Sequence, residues 1–148
     1  MRIAVVYGSR SGNTKAIAEA IADSLAAAGE VTTMPAETAE LPPETGLLVV
    51  GGPTEGHRMT PAVKAFLERL PGLSGMQVAA FDTRLNWPLW LSGSAAKGIA
   101  EALTTAGGTL VVPPESFIVS MEPRLHEGET ERARAWGLSI LSRQVAFA

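Results

Sequence analysis

The stretch Arg2-Ile3-Ala4-Val5-Val6-Tyr7-Gly8-Ser9-Arg10-Ser11-Gly12-Asn13-Thr14 decides how the chain folds. Its first half is a short, β-branched apolar run closed by a glycine, the pattern of a strand buried on both faces. Its second half gathers the hydroxyls of Ser9, Ser11 and Thr14 around Gly12 and opens onto a helical pattern. Ile17, Ile21 and Leu25 recur every four positions with alanines on the same side, so a helix is expected from about Asn13 to Ala28. Gly29 is expected to end it by taking the left-handed conformation. Strand, hydroxyl-rich turn and helix in that order begin an α/β fold with a parallel sheet.

The alternation continues to the far end. Val31 to Met34 is a weaker strand, and residues 35–45, with Pro35, Pro42 and Pro43, read as a crossover. Leu47 to Val50 is the third strand. Thr60-Pro61 starts a helix, with Thr60 as cap, and Val63, Phe66, Leu67 and Leu70 fit the i, i+3, i+4, i+7 template. Gln77 to Phe81 is the fourth strand. A long loop carrying Trp87 and Trp90 leads to Ser94, a cap for a helix over Ala95 to Thr105 that Gly107 and Gly108 stop. Thr109 to Val112 is the fifth strand; Pro113-Pro114 interrupts its ladder, and Phe117 to Val119 resumes it at the sheet edge. The last helix is expected over about Glu129 to Gln144, with Ala133, Trp136, Ile140 and Leu141 toward the core. Five parallel strands with helices on both faces make a doubly wound sheet, for which two strand orders are common. No repeat or linker breaks the chain, so residues 1–148 are expected to form a single domain.

Composition narrows the function. The 148 residues are 46% hydrophobic and 18% charged, a globular balance, and formal net charge is −3. There is no basic stripe for nucleic acid. No apolar run approaches the roughly 20 residues that span a bilayer. The absence of a signal-peptide pattern makes the cytoplasm the expected location. With no cysteine, iron–sulfur ligation, disulfides and thiol nucleophiles are excluded, and two histidines, His57 and His126, do not suggest a metal site.

In either strand order, ligands bind at the carboxyl ends of the strands. Those ends carry Ser9 to Thr14, Pro53 to Arg58 and Thr83 to Trp90, with Asp82 closing the fourth strand. The first loop pairs hydroxyls with the unpaired backbone N–H groups of a helix N-terminus, a combination that binds phosphate without lysine or metal. The same residue types also build an ordinary strand-to-helix turn, and the residues alone leave both readings open. Rival motifs fail on spacing. A P-loop needs a lysine where Asn13 stands, no G-x-G-x-x-G follows a strand, and no G-x-S-x-G elbow is present. Ser94-Ala95-Ala96-Lys97 matches S-x-x-K without its companion motifs and reads as a helix cap. Asp82 could serve as acid or base, or fix a loop.

Ser9-Arg10-Ser11-Gly12-Asn13-Thr14 resembles the [ST]-x-[ST]-G-N-T phosphate loop of the flavodoxin family. Leu48-Val49-Val50-Gly51-Gly52-Pro53-Thr54 resembles the strand and second loop before the flavin ring. Phe81-Asp82-Thr83-Arg84, Trp90-Leu91-Ser92-Gly93-Ser94-Ala95-Ala96, Pro113-Pro114-Glu115-Ser116-Phe117 and Glu127-Gly128-Glu129 with Arg132-Ala133-Arg134-Ala135-Trp136-Gly137 resemble a bacterial flavodoxin-like group. The resemblance implies strand order 2-1-3-4-5, FMN as cofactor and redox chemistry of one or two electrons. It implies that Ser9, Arg10, Ser11, Gly12, Asn13 and Thr14 form the phosphate loop. Pro53, Thr54, Glu55, Gly56, His57 and Arg58 would line one side of the ring, and Asp82, Thr83, Arg84, Trp87 and Trp90 the other. The peptide Gly56-His57 is the candidate to turn its carbonyl toward the flavin, since glycine flips at little cost.

The chain departs from that pattern in two ways. The second loop has no aromatic residue, which leaves stacking to Trp87 or Trp90, with Met59 or His57 opposite. It is also only mildly acidic, and Arg10, Arg58 and Arg84 fall on flavin-edge loops, which favours an anionic reduced flavin and a less negative potential. The expected function is an FMN electron carrier between redox partner proteins. The alternatives are an FMN-dependent NAD(P)H:quinone-type oxidoreductase and a flavodoxin-fold module without flavin.

Overall fold

The opening strand, β1 (Arg2–Tyr7), lies in the middle of the sheet, and Ile3, Ala4, Val5 and Val6 are buried alternately on its two faces. A computed structural model of the chain describes residues 1–9, 12–120 and 125–146. The elements follow in the expected alternation: α1 (Asn13–Leu25), β2 (Glu30–Pro35), β3 (Thr45–Pro53), α2 (Pro61–Glu68), β4 (Gln77–Leu85), α3 (Leu89–Ser92), α4 (Ala95–Thr105), β5 (Thr109–Leu110), β6 (Glu115–Val119) and α5 (Glu129–Ala146). All strand pairs are parallel, and the order is β2-β1-β3-β4-β5, with β6 also on β4.

β5 and β6 are two parts of one edge strand. Thr109 and Leu110 pair with Gln77 and Val78, and Glu115 to Val119 pair with Phe81 to Leu85. Pro113 and Pro114 fall in the gap between them, because proline offers no N–H to the ladder.

The alternation of the strands divides the core in two. Ile3, Val5, Leu47, Val49, Ala79 and Phe81 pack under α1 and α5; Ala4, Val6, Leu48, Val50, Val78 and Ala80 pack under α2 and α4. On the first face, Phe81, Phe117 and Trp136 meet edge to face, with ring centroids 6.0–6.1 Å apart.

Three helix ends depart from expectation. α1 stops at Leu25, and Gly29 does not take a positive φ. A Cβ there would strike the Met1 carbonyl, which accepts from Glu30 N at 3.0 Å, so glycine serves close packing. Neither Thr60 nor Ser94 makes a side-chain cap bond. The glycine stop of α4 is as expected: Gly107, at φ 108°, donates to Thr104 O and Gly108 to Leu103 O, a Schellman motif.

Arg132 ties α5 to the edge strand. It binds Glu129 through Nε to Oε1 (2.9 Å) and Nη2 to Oε2 (2.8 Å), donates to Ser116 O, reaches Glu115 at 3.3 Å and lies over the Phe117 ring. Glu129 also accepts from Ile118 N at 2.6 Å. The Arg132 hydrogen bonds, more than any other influence, hold the Glu129 carboxyl below its ordinary range against the opposing effect of burial.

Candidate cofactor-binding site

The loops after β1, β3 and β4 leave the sheet at one edge, and each is fixed by a specific contact. Gly12 takes φ 88° and precedes α1, and its N–H donates to Ser9 Oγ at 3.0 Å. Among the described residues α1 has no side-chain cap bond, and its first turn holds no acidic residue to oppose an anion there. Among the described residues, a Cβ at Gly12 would meet no atom within 4 Å. Arg10 and Ser11 lie outside the described residues. Thr14 Oγ1 shares a hydrogen bond of 2.7 Å with Thr83 Oγ1, both side chains buried, which fastens the first loop to the end of β4.

The second loop is a two-residue hairpin. Glu55 N donates to Arg58 O at 2.8 Å and Arg58 N to Glu55 O at 3.1 Å. Its central residues, Gly56 and His57, have φ of 56° and 70°, as a primed turn requires. His57 is joined to the third loop by a bridge to Gly93 and by Nε2 at 2.5 Å from Leu91 O. Thr54 Oγ1 accepts from Ala95 N at 3.0 Å. The two loops therefore form one wall.

A cleft of about 270 Å³ opens in that wall, lined by Thr54, Gly56, His57, Arg84, Leu85, Trp87, Leu91 and Ser92. Arg84 Nη1 donates to Trp87 O at 3.0 Å and approaches Leu85 O and Ser92 Oγ at 3.3 and 3.4 Å; its Nε is buried without a partner. Thus Thr54, Gly56, His57, Arg84 and Trp87 come together at one cleft.

Several other candidates stand elsewhere. Asp82 is fully buried behind the wall, where Oδ2 accepts from Ser94 Oγ (2.6 Å) and Ala96 N (3.0 Å). The carboxylate thereby caps α4 in place of Ser94. Trp90 does not line the cleft and is 82% exposed. Arg58 lines a separate groove with Met59, Lys64, Leu67, Glu68 and Ala102. Pro53 pairs with Thr83 in the ladder, and Glu55 belongs to the hairpin backbone.

Leu85, Leu91 and Ser92 line the cleft beside the residues expected from the sequence. The signal for Leu91 and Ser92 was present in the motif around Gly93. Leu85 was hidden because β4 runs past the expected Phe81.

Comparison with known proteins fixes the family. The Flavodoxin family profile matches residues 5–136, so the chain belongs to the flavodoxin family. A flavodoxin from the domain Archaea superposes with TM-score 0.81 at 24% identity, covering 97% of this chain and 98% of that one. Oxidised Flavodoxin 1 from Bacillus cereus gives 0.81 at 18% identity, covering 96% and 98%. Rubredoxin oxygen:oxidoreductase from the anaerobe Desulfovibrio gigas gives 0.76 at 19% identity, covering 99% of this chain and 37% of that one. Among curated proteins, none matches the chain in sequence.

The cofactor of the family is FMN, and the described residues fit it. A glycine turn leading into a helix N-terminus with no side-chain cap bond among the described residues suits a phosphate. A cleft holding an unpartnered buried guanidinium N–H suits a planar ring with carbonyl and nitrogen acceptors.

Proposed function

We propose that this protein is an electron carrier that holds FMN noncovalently and passes electrons between partner proteins, as a single folded unit in the cytoplasm. FMN supplies the redox chemistry, and the chain supplies binding, orientation and potential. The observation that carries the reading is the left-handed turn at Gly12, which leads into the N-terminus of α1 and is locked to β4 through Thr14 and Thr83.

In this reading Ser9, Gly12, Asn13 and Thr14 receive the phosphate, with Arg10 and Ser11 completing the loop. Thr54, Gly56 and His57 meet one side of the ring, and Thr83, Arg84 and Trp87 the other. Pro53, Glu55, Arg58 and Asp82 shape the loops. The Gly56-His57 peptide is the mobile point. Rotating it would bring His57 out of its left-handed conformation, which costs a non-glycine residue about 1 kcal/mol.

The alternative is an NAD(P)H:quinone-type oxidoreductase, which would need room over the flavin for a second planar substrate. Mixing with FMN followed by gel filtration tests cofactor retention: the protein fraction should keep a flavin spectrum. The loaded protein should oxidise NADPH only when a separate reductase is added. Rapid oxidation by the protein alone would favour the oxidoreductase, and a colourless protein would leave a fold without flavin.

A further inference from the structure

His57 holds a backbone conformation that few side chains accept. Its φ of 70°, after the 56° of Gly56, lies in the left-handed region of a primed hairpin turn, where His, Asn and Asp are the commonest residues other than glycine. The side chain is exposed, so burial does not fix it. Two contacts with the third loop do. Nε2 lies 2.5 Å from Leu91 O, and because a carbonyl only accepts, Nε2 is the ring nitrogen that carries the proton. The His57 backbone also bridges to Gly93 at a separation that glycine alone permits: a Cβ there would stand 2.6–2.7 Å from His57 Cα, O and Cβ.

The third loop has little regular structure of its own. Between β4 and α4 it holds only the four-residue α3, and residues 86–91 are exposed. Arg84 fastens its near end through Trp87 O, and His57 fastens its far end at Leu91 and Gly93. Leu91 O is one of the C-terminal carbonyls of α3, which a helix cannot satisfy within itself. The cleft takes Gly56 and His57 from the second loop and Trp87, Leu91 and Ser92 from the third.

From this geometry we infer that His57 is a positioning residue: its imidazole clasps α3 to the hairpin and keeps the cleft formed before a ligand arrives. The inference rests on the flavin reading of the cleft and gives His57 a role exerted through Leu91 and Gly93. An unclasped third loop would have to be ordered at the moment of binding, at a cost to affinity for the ring. The Gly12 turn is fastened separately, by Thr14 to Thr83, so the clasp acts on the ring half of the ligand alone.

Three replacements separate the side chain from the backbone. His57→Ala removes the donor. His57→Gln places an amide N–H as many bonds from Cα as Nε2 is. His57→Asn suits the left-handed backbone but falls one bond short. In the flavin-free protein the Trp87 indole N–H signal should move in the Ala and Asn variants and return toward its wild-type position in the Gln variant. The Trp136 signal, from a ring packed against Phe81 and Phe117, should stay in place in all three. In fluorescence titrations Ala and Asn should each weaken FMN and riboflavin by the same factor, about fivefold, the worth of one ordinary hydrogen bond. Gln should restore most of the loss. Should Ala displace the Trp136 signal, the Asn and Gln pair carries the comparison.

Unchanged or tighter flavin binding by His57→Ala overturns the inference, because the clasp would then be idle or would obstruct the ring. So does failure of Gln to restore affinity, which assigns the imidazole to the ring itself, or wild-type binding by Asn, which assigns the effect to the backbone. A loss for FMN that exceeds the loss for riboflavin places the effect at the phosphate turn and overturns it too. A protein that binds neither flavin overturns the flavin reading and this inference with it. A protein that binds both, with a Trp87 signal indifferent to His57→Ala, overturns this inference alone.

Discussion

Arg84 and Asp82 share one side of β4, yet they do different work. Arg84 lines the cleft, held by Trp87 O and Ser92 Oγ, while Asp82 is turned inward to the N-terminus of α4. Of the three arginines expected at the flavin edge, Arg84 is the one that lines the cleft; Arg58 faces a separate groove, and Arg10 lies outside the described residues. Arg84→Ala should therefore lower the two-electron potential of bound FMN by about 20 mV for each kcal/mol of attraction lost. Redox titration reads this directly, and an unchanged or raised potential would refute the role. Asp82→Ala should destabilise the fold by about 1–3 kcal/mol in urea denaturation, because Ser94 Oγ and Ala96 N lose their acceptor. Asp82→Asn should cost less, since its amide oxygen can still accept. The residue types at strand ends were legible in the sequence as site candidates. Which of them turn inward was not, because that depends on a helix terminus that the chain brings back only after Ser94.

At the scale of elements, the edge strand and α5 depend on the Glu129–Arg132 contact. Glu129 is depressed in the folded state, so its contribution to stability is present above the ordinary carboxylate range and is lost as pH falls through and below that range. Glu129→Gln should cost about 1–3 kcal/mol at neutral pH, with the gap to wild type closing on acidification. Denaturant titrations at several pH values measure this, and a gap independent of pH would contradict it. The motifs around Glu115, Glu129 and Arg132 were visible in the sequence as family marks. Their meaning appears only when β6 and α5 are adjacent. Gly137 has a similar explanation: a Cβ there would collide with Ser24 Oγ on α1. Long periodic segments such as α4 and α5 were legible because burial on one face imposes a period on the chain. The short α3 was not, since four residues carry no period, nor was the full length of β4, because Asp82 and Arg84 break its apolar run. Thr60 and Ser94, neither of which makes a side-chain cap bond, mark the limit of reading caps from residue type.

For the molecule as a whole, the parallel order β2-β1-β3-β4-β5 brings three loops distant in sequence to one edge. The strand order was accessible through the family resemblance; the alternation of elements by itself left two orders open. What the topology creates is a pairing of unlike functions: a helix N-terminus beside β1 and a cleft beside β4, fastened together by Thr14 and Thr83. The central claim is that the ligand is anchored by its phosphate at the Gly12 turn. Comparing the affinities of FMN and riboflavin, which lacks that phosphate, isolates this contribution. Fluorescence titration should show FMN binding at least about 100-fold tighter, equivalent to about 2.7 kcal/mol and within reach of a few charge-assisted hydrogen bonds. Equal affinity for the two flavins would contradict the account.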